Sequence, residues 1–209
     1  MRIVLLAPLP PEQTGIADYA AHFSNALRRL GIEVLTPLAG CYDLTQQLSR
    51  LKAVDWRDVD LVHAELGGGR FGEFQALDYL RREQPQIPLT ATVHDPERLI
   101  WRRARLFWPL TLLERLPHPM PQAASLLADP LTLHEERRLA KSMSRLVTLT
   151  RLGGDRLRQR MGLRTEQSAV IAHGNLPIVP VELPALEPLR LLYFGFIYRG
   201  KGIEDLIEA

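Results

Sequence analysis

Residues 2–35 read RIVLLAPLPPEQTGIADYAAHFSNALRRLGIEVL, and the succession of textures in this stretch decides the fold. Residues 2–7, apolar after Arg2, are stopped by Pro8, Pro10 and Pro11, the pattern of a short buried strand. Apolar residues then recur at Ile16, Tyr19, Ala20, Phe23, Ala26, Leu27 and Leu30, a spacing that lines one face of a helix. Gly31 is a helix stop, and residues 32–35 read as a second strand. A strand, loop, helix and strand in this order open a parallel α/β sheet, because parallel neighbours need a crossover between them.

The alternation continues outward. The pattern predicts a helix over 44–54, a strand over 59–64, a loop over Leu66-Gly67-Gly68-Gly69-Arg70, a helix over 74–82 and a strand over 87–94. Pro96 prevents simple continuation of that strand. Residues 123–144 read as mostly helical across Pro130, followed by a strand over 146–150, a helix over 155–161 and a strand over 168–172. The expectation is an α/β fold, a Rossmann-like parallel sheet flanked by helices, over residues 1–176. Prolines at 177, 180, 184 and 188 mark 177–188 as a linker. Residues 189–194 then read as a strand and 200–209 as a helix, the opening of a second α/β domain over 189–209. One strand and one helix cannot make a domain, so the chain is expected to stop where that domain starts.

Composition places the chain among globular proteins, with 46% apolar and 24% charged residues. No apolar run approaches the ~20 residues that span a bilayer, and the prolines after Ala7 favour a core strand over a signal peptide. The single cysteine, Cys41, allows neither an internal disulfide nor a thiolate metal cluster, which fits a reducing cytoplasm. The six histidines show no metal-ligand pair at helical spacing, so no metal is expected. A net charge of +2 and the absence of a recognition motif argue against nucleic acid. Residues 98–108, RLIWRRARLFW, are basic and aromatic; they either dock on an anionic membrane or pack apolar side chains inward while the arginines stay solvated.

The loop before the first helix ends in Thr14-Gly15. Free N–H groups at a helix start make an anion site, although Thr14 also fits a plain cap. The Gly-x-Gly-x-x-Gly fingerprint, the phosphate loop ending in Gly-Lys-Ser/Thr and the Gly-x-Ser-x-Gly elbow are all absent, which disfavours dinucleotide cofactors and a hydrolase triad.

The runs at 10–19, 30–34, 60–63, 88–95, 170–175, 192–195 and 201–207 resemble, in order, the family 4 retaining glycosyltransferases of GT-B fold. The resemblance implies an N-terminal, acceptor-side domain followed by the start of the donor-binding domain. It implies a nucleotide-sugar donor, a sugar or lipid-linked acceptor, and no cofactor. It places His94 at the cleft as a substrate-positioning or transition-state residue, with Asp95 orienting it or binding a sugar hydroxyl. Thr14 and Gly15 would contact the donor from one side. Arg199 and Lys201 would stabilise the departing diphosphate from the other, although the family's usual arginine position here holds Phe196. Glu65 and Arg70, flanking the triple glycine, are candidate acceptor contacts. The family's acidic motif belongs to the missing C-terminal domain, so the chain alone is expected to be inactive. It is expected in the cytoplasm, with peripheral contact at the inner membrane face through 98–108. The alternatives are a stand-alone Rossmann module that binds a sugar or nucleotide, and an NAD-linked enzyme.

Overall fold

A computed structural model describes residues 1–41, 43–96, 98–99, 112, 116–117, 119–174, 192–193, 195, 197 and 202–208. Its centre is a six-stranded, all-parallel sheet of order β2-β1-β3-β4-β5-β6. The elements run β1 (Arg2–Leu6), α1 (Gly15–Arg29), β2 (Glu33–Leu35), α2 (Leu44–Lys52), β3 (Leu61–Leu66), α3 (Phe71–Glu83), β4 (Leu89–Val93), α4 (Met120–Ser142), β5 (Arg145–Thr148), α5 (Arg151–Met161), β6 (Ser168–Val170) and α6 (Ile203–Glu208). This is the expected α/β, Rossmann-like sheet flanked by helices.

The two faces of the sheet are unequal. Alternate side chains of a strand point to opposite faces. Val4, Leu6, Val62, Ala64 and Leu66 join Leu51 of α2, Leu77 of α3, Leu139 of α4 and Leu157 of α5 in the main core. The other face holds a smaller cluster of Leu5, Ala7, Ala20 and Val34 with Phe23 and Leu27 of α1. Beyond β1 this second face turns polar. Register pairs Leu5 with His63, His63 with Thr90, and Glu65 with Thr92.

Among the element bounds that differ from the sequence expectation, two have a plain physical reason. β3 extends through Glu65 to Leu66, because the Glu65 carboxylate finds partners inside the fold (below). α5 begins at Arg151, capped by Thr150 Oγ1 accepting from Gly153 N at 3.0 Å. The glycines of its first turn serve close packing: a Cβ at Gly153 would lie 3.0 Å from Pro96 Cγ.

The linker and Leu191 lie outside the described residues, as do residues 100–111; of the basic-aromatic segment, Leu99 is fully buried and Arg98 pairs with Glu136 at 2.9 Å and with Asp129. Among the described residues no helix is long and apolar enough to cross a membrane.

Leu77 is fully buried in the main core, whereas Leu30 is 77% exposed. Leu77→Ala is expected to destabilise the fold by about 2–5 kcal/mol, and Leu30→Ala by no more than about 0.5 kcal/mol. Urea denaturation of the two variants checks this.

Candidate functional site

The chain passes from β1 out to β2 on one side and returns to β3 on the other, so the strand order reverses between β1 and β3. A crevice at the carboxyl ends of such neighbouring strands is where open α/β sheets bind ligands. Three features converge there: the start of α1 after β1, the glycine loop after β3, and His94-Asp95 after β4.

Thr14 caps α1, its Oγ1 accepting from Ala17 N at 3.1 Å. The hydroxyl therefore has a structural task. Gly15 is exposed, and a Cβ there would meet nothing within 4 Å, so the space before the helix start is open. The Asp95 carboxylate accepts from Gly68 N at 2.6 Å and ties the loops after β3 and β4 together.

His94 and Glu65 meet directly. Glu65 Oε2 lies 2.8 Å from His94 Nε2, and the Glu65 side chain has no solvent exposure. A carboxylate accepts only, so Nε2 carries the proton and donates. His94 Nδ1 makes no hydrogen bond with the described residues, and in the neutral ring it holds a lone pair. On the far side of Glu65, His63 Nε2 stands 3.4 Å from Oε1, an electrostatic contact rather than a formed hydrogen bond. His63 is held by Thr90 Oγ1 at 2.8 Å on Nδ1 and Thr92 Oγ1 at 3.0 Å on Nε2. Since the Thr90 hydroxyl donates to Val62 O, its oxygen accepts from His63 Nδ1–H. Burial pushes the Glu65 carboxyl upward, but the two imidazoles beside it, His63 and the hydrogen-bonded His94, outweigh it and hold the group below its ordinary value.

Tyr19 of α1 covers this cluster. Its ring meets His94 edge-on at 5.0 Å between centroids and His173, beyond β6, at 5.1 Å. Burial and then the Glu65 charge raise the Tyr19 phenol above its ordinary value, against a hydrogen bond with Thr92 that lowers it. The phenol therefore stays protonated at neutral pH.

The structure thus brings together Thr14, Gly15, Glu65, His94 and Asp95 at the carboxyl ends of the central strands. It places Glu65 beneath His94 as the partner of its ring, not on the crevice surface. Arg70 turns elsewhere, pairing with Glu12 at 2.6 Å and Glu73 at 3.5 Å. Arg199 and Lys201 lie outside the described residues. Sequence reading passed over Tyr19, His63 and His173 as site residues. The signals for the first two were present: Tyr19 stands one helical turn after Gly15, and His63 two residues before Glu65 on the same strand face. Among the described residues no cluster of His, Cys, Asp and Glu could hold a metal ion.

No family model matches the chain, and no curated protein matches it. Among solved structures, the crystal structure of the Escherichia coli transcriptional repressor ascG is similar at 11% identity, covering 84% of this chain and 80% of that one, with a TM-score of 0.33. A likeness of this size assigns neither family nor function.

Removing the Glu65 charge leaves two buried imidazoles without their carboxylate. Glu65→Gln is expected to destabilise the fold by about 1–3 kcal/mol at pH 7. Because the folded carboxyl sits below its unfolded value of 4.5, this stabilisation is complete above that pH and fades as pH falls through the folded value. The gap between wild type and Glu65→Gln should therefore narrow in urea denaturation below pH 4.5.

Proposed function

We propose that this chain is the acceptor-side domain of a glycosyltransferase that moves a sugar from a nucleotide-sugar to a hydroxyl acceptor, in the cytoplasm. The observation that carries the reading is the Glu65–His94 pair, a buried carboxylate holding an imidazole at the switch point of the sheet, with the start of α1 beside it. The ordered resemblance to the family 4 enzymes, with His94 at its cleft position, adds to it.

In this reading Glu65 fixes the His94 ring, and Nδ1 faces the acceptor. A lone pair there accepts a hydrogen bond from the attacking hydroxyl and positions its oxygen. The N–H groups at the start of α1 meet the anionic end of the donor. Arg199 and Lys201, with a second domain, stabilise the leaving diphosphate. Family resemblance favours retention of anomeric configuration. One observation favours a second reading: a carboxylate-held imidazole has the form of a general base, and full proton removal by His94 suits an in-line displacement with inversion. The anomeric configuration of the product, read by proton NMR, separates the two.

The expected outcome is no turnover of nucleotide-sugars by residues 1–209 alone, and transfer when a donor-binding domain completes the site. In the completed enzyme His94→Ala should lower kcat by about 100-fold or more. A His94→Ala variant as active as the parent would refute the assignment.

A further inference from the structure

The glycine loop after β3 meets both other parts of the candidate site. Gly67 lies bare between the first turn of α1 and the end of β4: a Cβ there would stand 2.9 Å from Ile16 Cδ1 and 3.4 Å from His94 Cβ. Gly68 N donates to Asp95 Oδ2 at 2.6 Å. Gly69 takes a φ of +81°, in the left-handed region that favours glycine. That turn is closed by Arg70 N donating to Gly67 O at 3.1 Å, and it brings the chain to Arg70 at the head of α3.

The Arg70 side chain then meets the loop before α1. Its Nη2 stands 2.6 Å from Glu12 Oε1, whereas Nη1 lies 3.5 Å from Glu73 Oε1 on the same helix. The Glu12 contact is the shorter, and it alone joins segments far apart in sequence. The Arg70 and Glu12 side chains are 16% and 21% exposed, so salt and water screen the pair little. Glu12 leads directly into the helix cap. Thr14 N donates to Glu12 O at 3.1 Å, and Thr14 Oγ1 accepts from Ala17 N at 3.1 Å. A displacement of Glu12 is therefore carried into Gly15 and the first turn of α1.

We infer that Arg70 is a positioning residue, not a ligand contact: acting through Glu12, it fixes the start of α1 against Gly67 and His94. Two carboxylates already engage its guanidinium, which leaves that charge committed inside the domain. That the start of α1 receives the donor rests on the transfer reading. The tie from Arg70 to α1 does not.

The test is amide hydrogen exchange of the 209-residue chain, read by proton–nitrogen correlation NMR. The hydrogen-bonded amides of Glu12, Thr14 and Ala17 report on the lead-in to α1. Those of Val62 and Ala64, buried in β3, report on global opening. In Glu12→Gln and in Arg70→Gln, exchange at the three lead-in amides should rise about tenfold over any change at Val62 and Ala64, the effect of losing one hydrogen bond between charged groups. The double variant should exchange no faster than the faster single one, because the two side chains form one contact. Glu73→Gln should leave the lead-in amides at the wild-type rate. Arg70→Gln also strips the buried Glu73 of its partner, so Glu12→Gln, at a partly exposed side chain, carries the test alone if Arg70→Gln does not fold. The inference is overturned if Glu12→Gln leaves the lead-in amides at the wild-type rate, if lead-in and core amides accelerate together, if the double variant adds the two single effects, or if Glu73→Gln loosens the lead-in as much as Glu12→Gln does. Absence of sugar transfer by the completed enzyme would count against the transfer reading and would leave these exchange rates as they are.

Discussion

A carboxylate without solvent contact needs a donor within the fold, and Glu65 obtains it from His94 just past β4, with the His63 ring beside it on β3. Desolvating an isolated carboxylate is prohibitive. His63 and His94 make burial possible, and in return the carboxylate fixes where His94 points. Much of the surrounding sequence serves this arrangement. Thr90 and Thr92 replace the apolar residues a buried strand would otherwise carry, and their hydroxyls hold His63. Phe23 packs on the His63 ring at 5.3 Å, and Tyr19 closes over His94. One face of the parallel sheet is an ordinary apolar core. The other, from β3 outward, is a polar network leading to the crevice.

The topology explains why that network reaches a site. Strand β1 feeds outward to β2 and the chain then returns to β3, so the start of α1 and the loop after β3 flank one crevice. Asp95 ties the glycine loop to the end of β4. Arg70 pins Glu12 of the β1 loop to the start of α3. These ties hold the crevice walls from two sides while leaving the space before Gly15 open.

The sheet was legible because its strands are short apolar runs separated by helical spacing and prolines. The polar residues were harder to place. Glu65 read as the end of a strand and a surface contact, because the partner that permits its burial lies 29 residues away. Only the β3–β4 register brings them together. Thr14 was legible both as cap and as ligand contact, and the cap is the role the structure gives it. Strand periodicity could have singled out His63, which shares a face with Glu65.

The central claim is that Glu65 holds His94 with its proton on Nε2, leaving Nδ1 as the atom presented to a ligand. Long-range proton–nitrogen correlation NMR of the histidine rings reads this directly. The account predicts the Nε2–H tautomer for neutral His94, and loss of that preference in Glu65→Gln. A neutral His94 protonated on Nδ1, or a tautomer unaffected by Glu65→Gln, would contradict it.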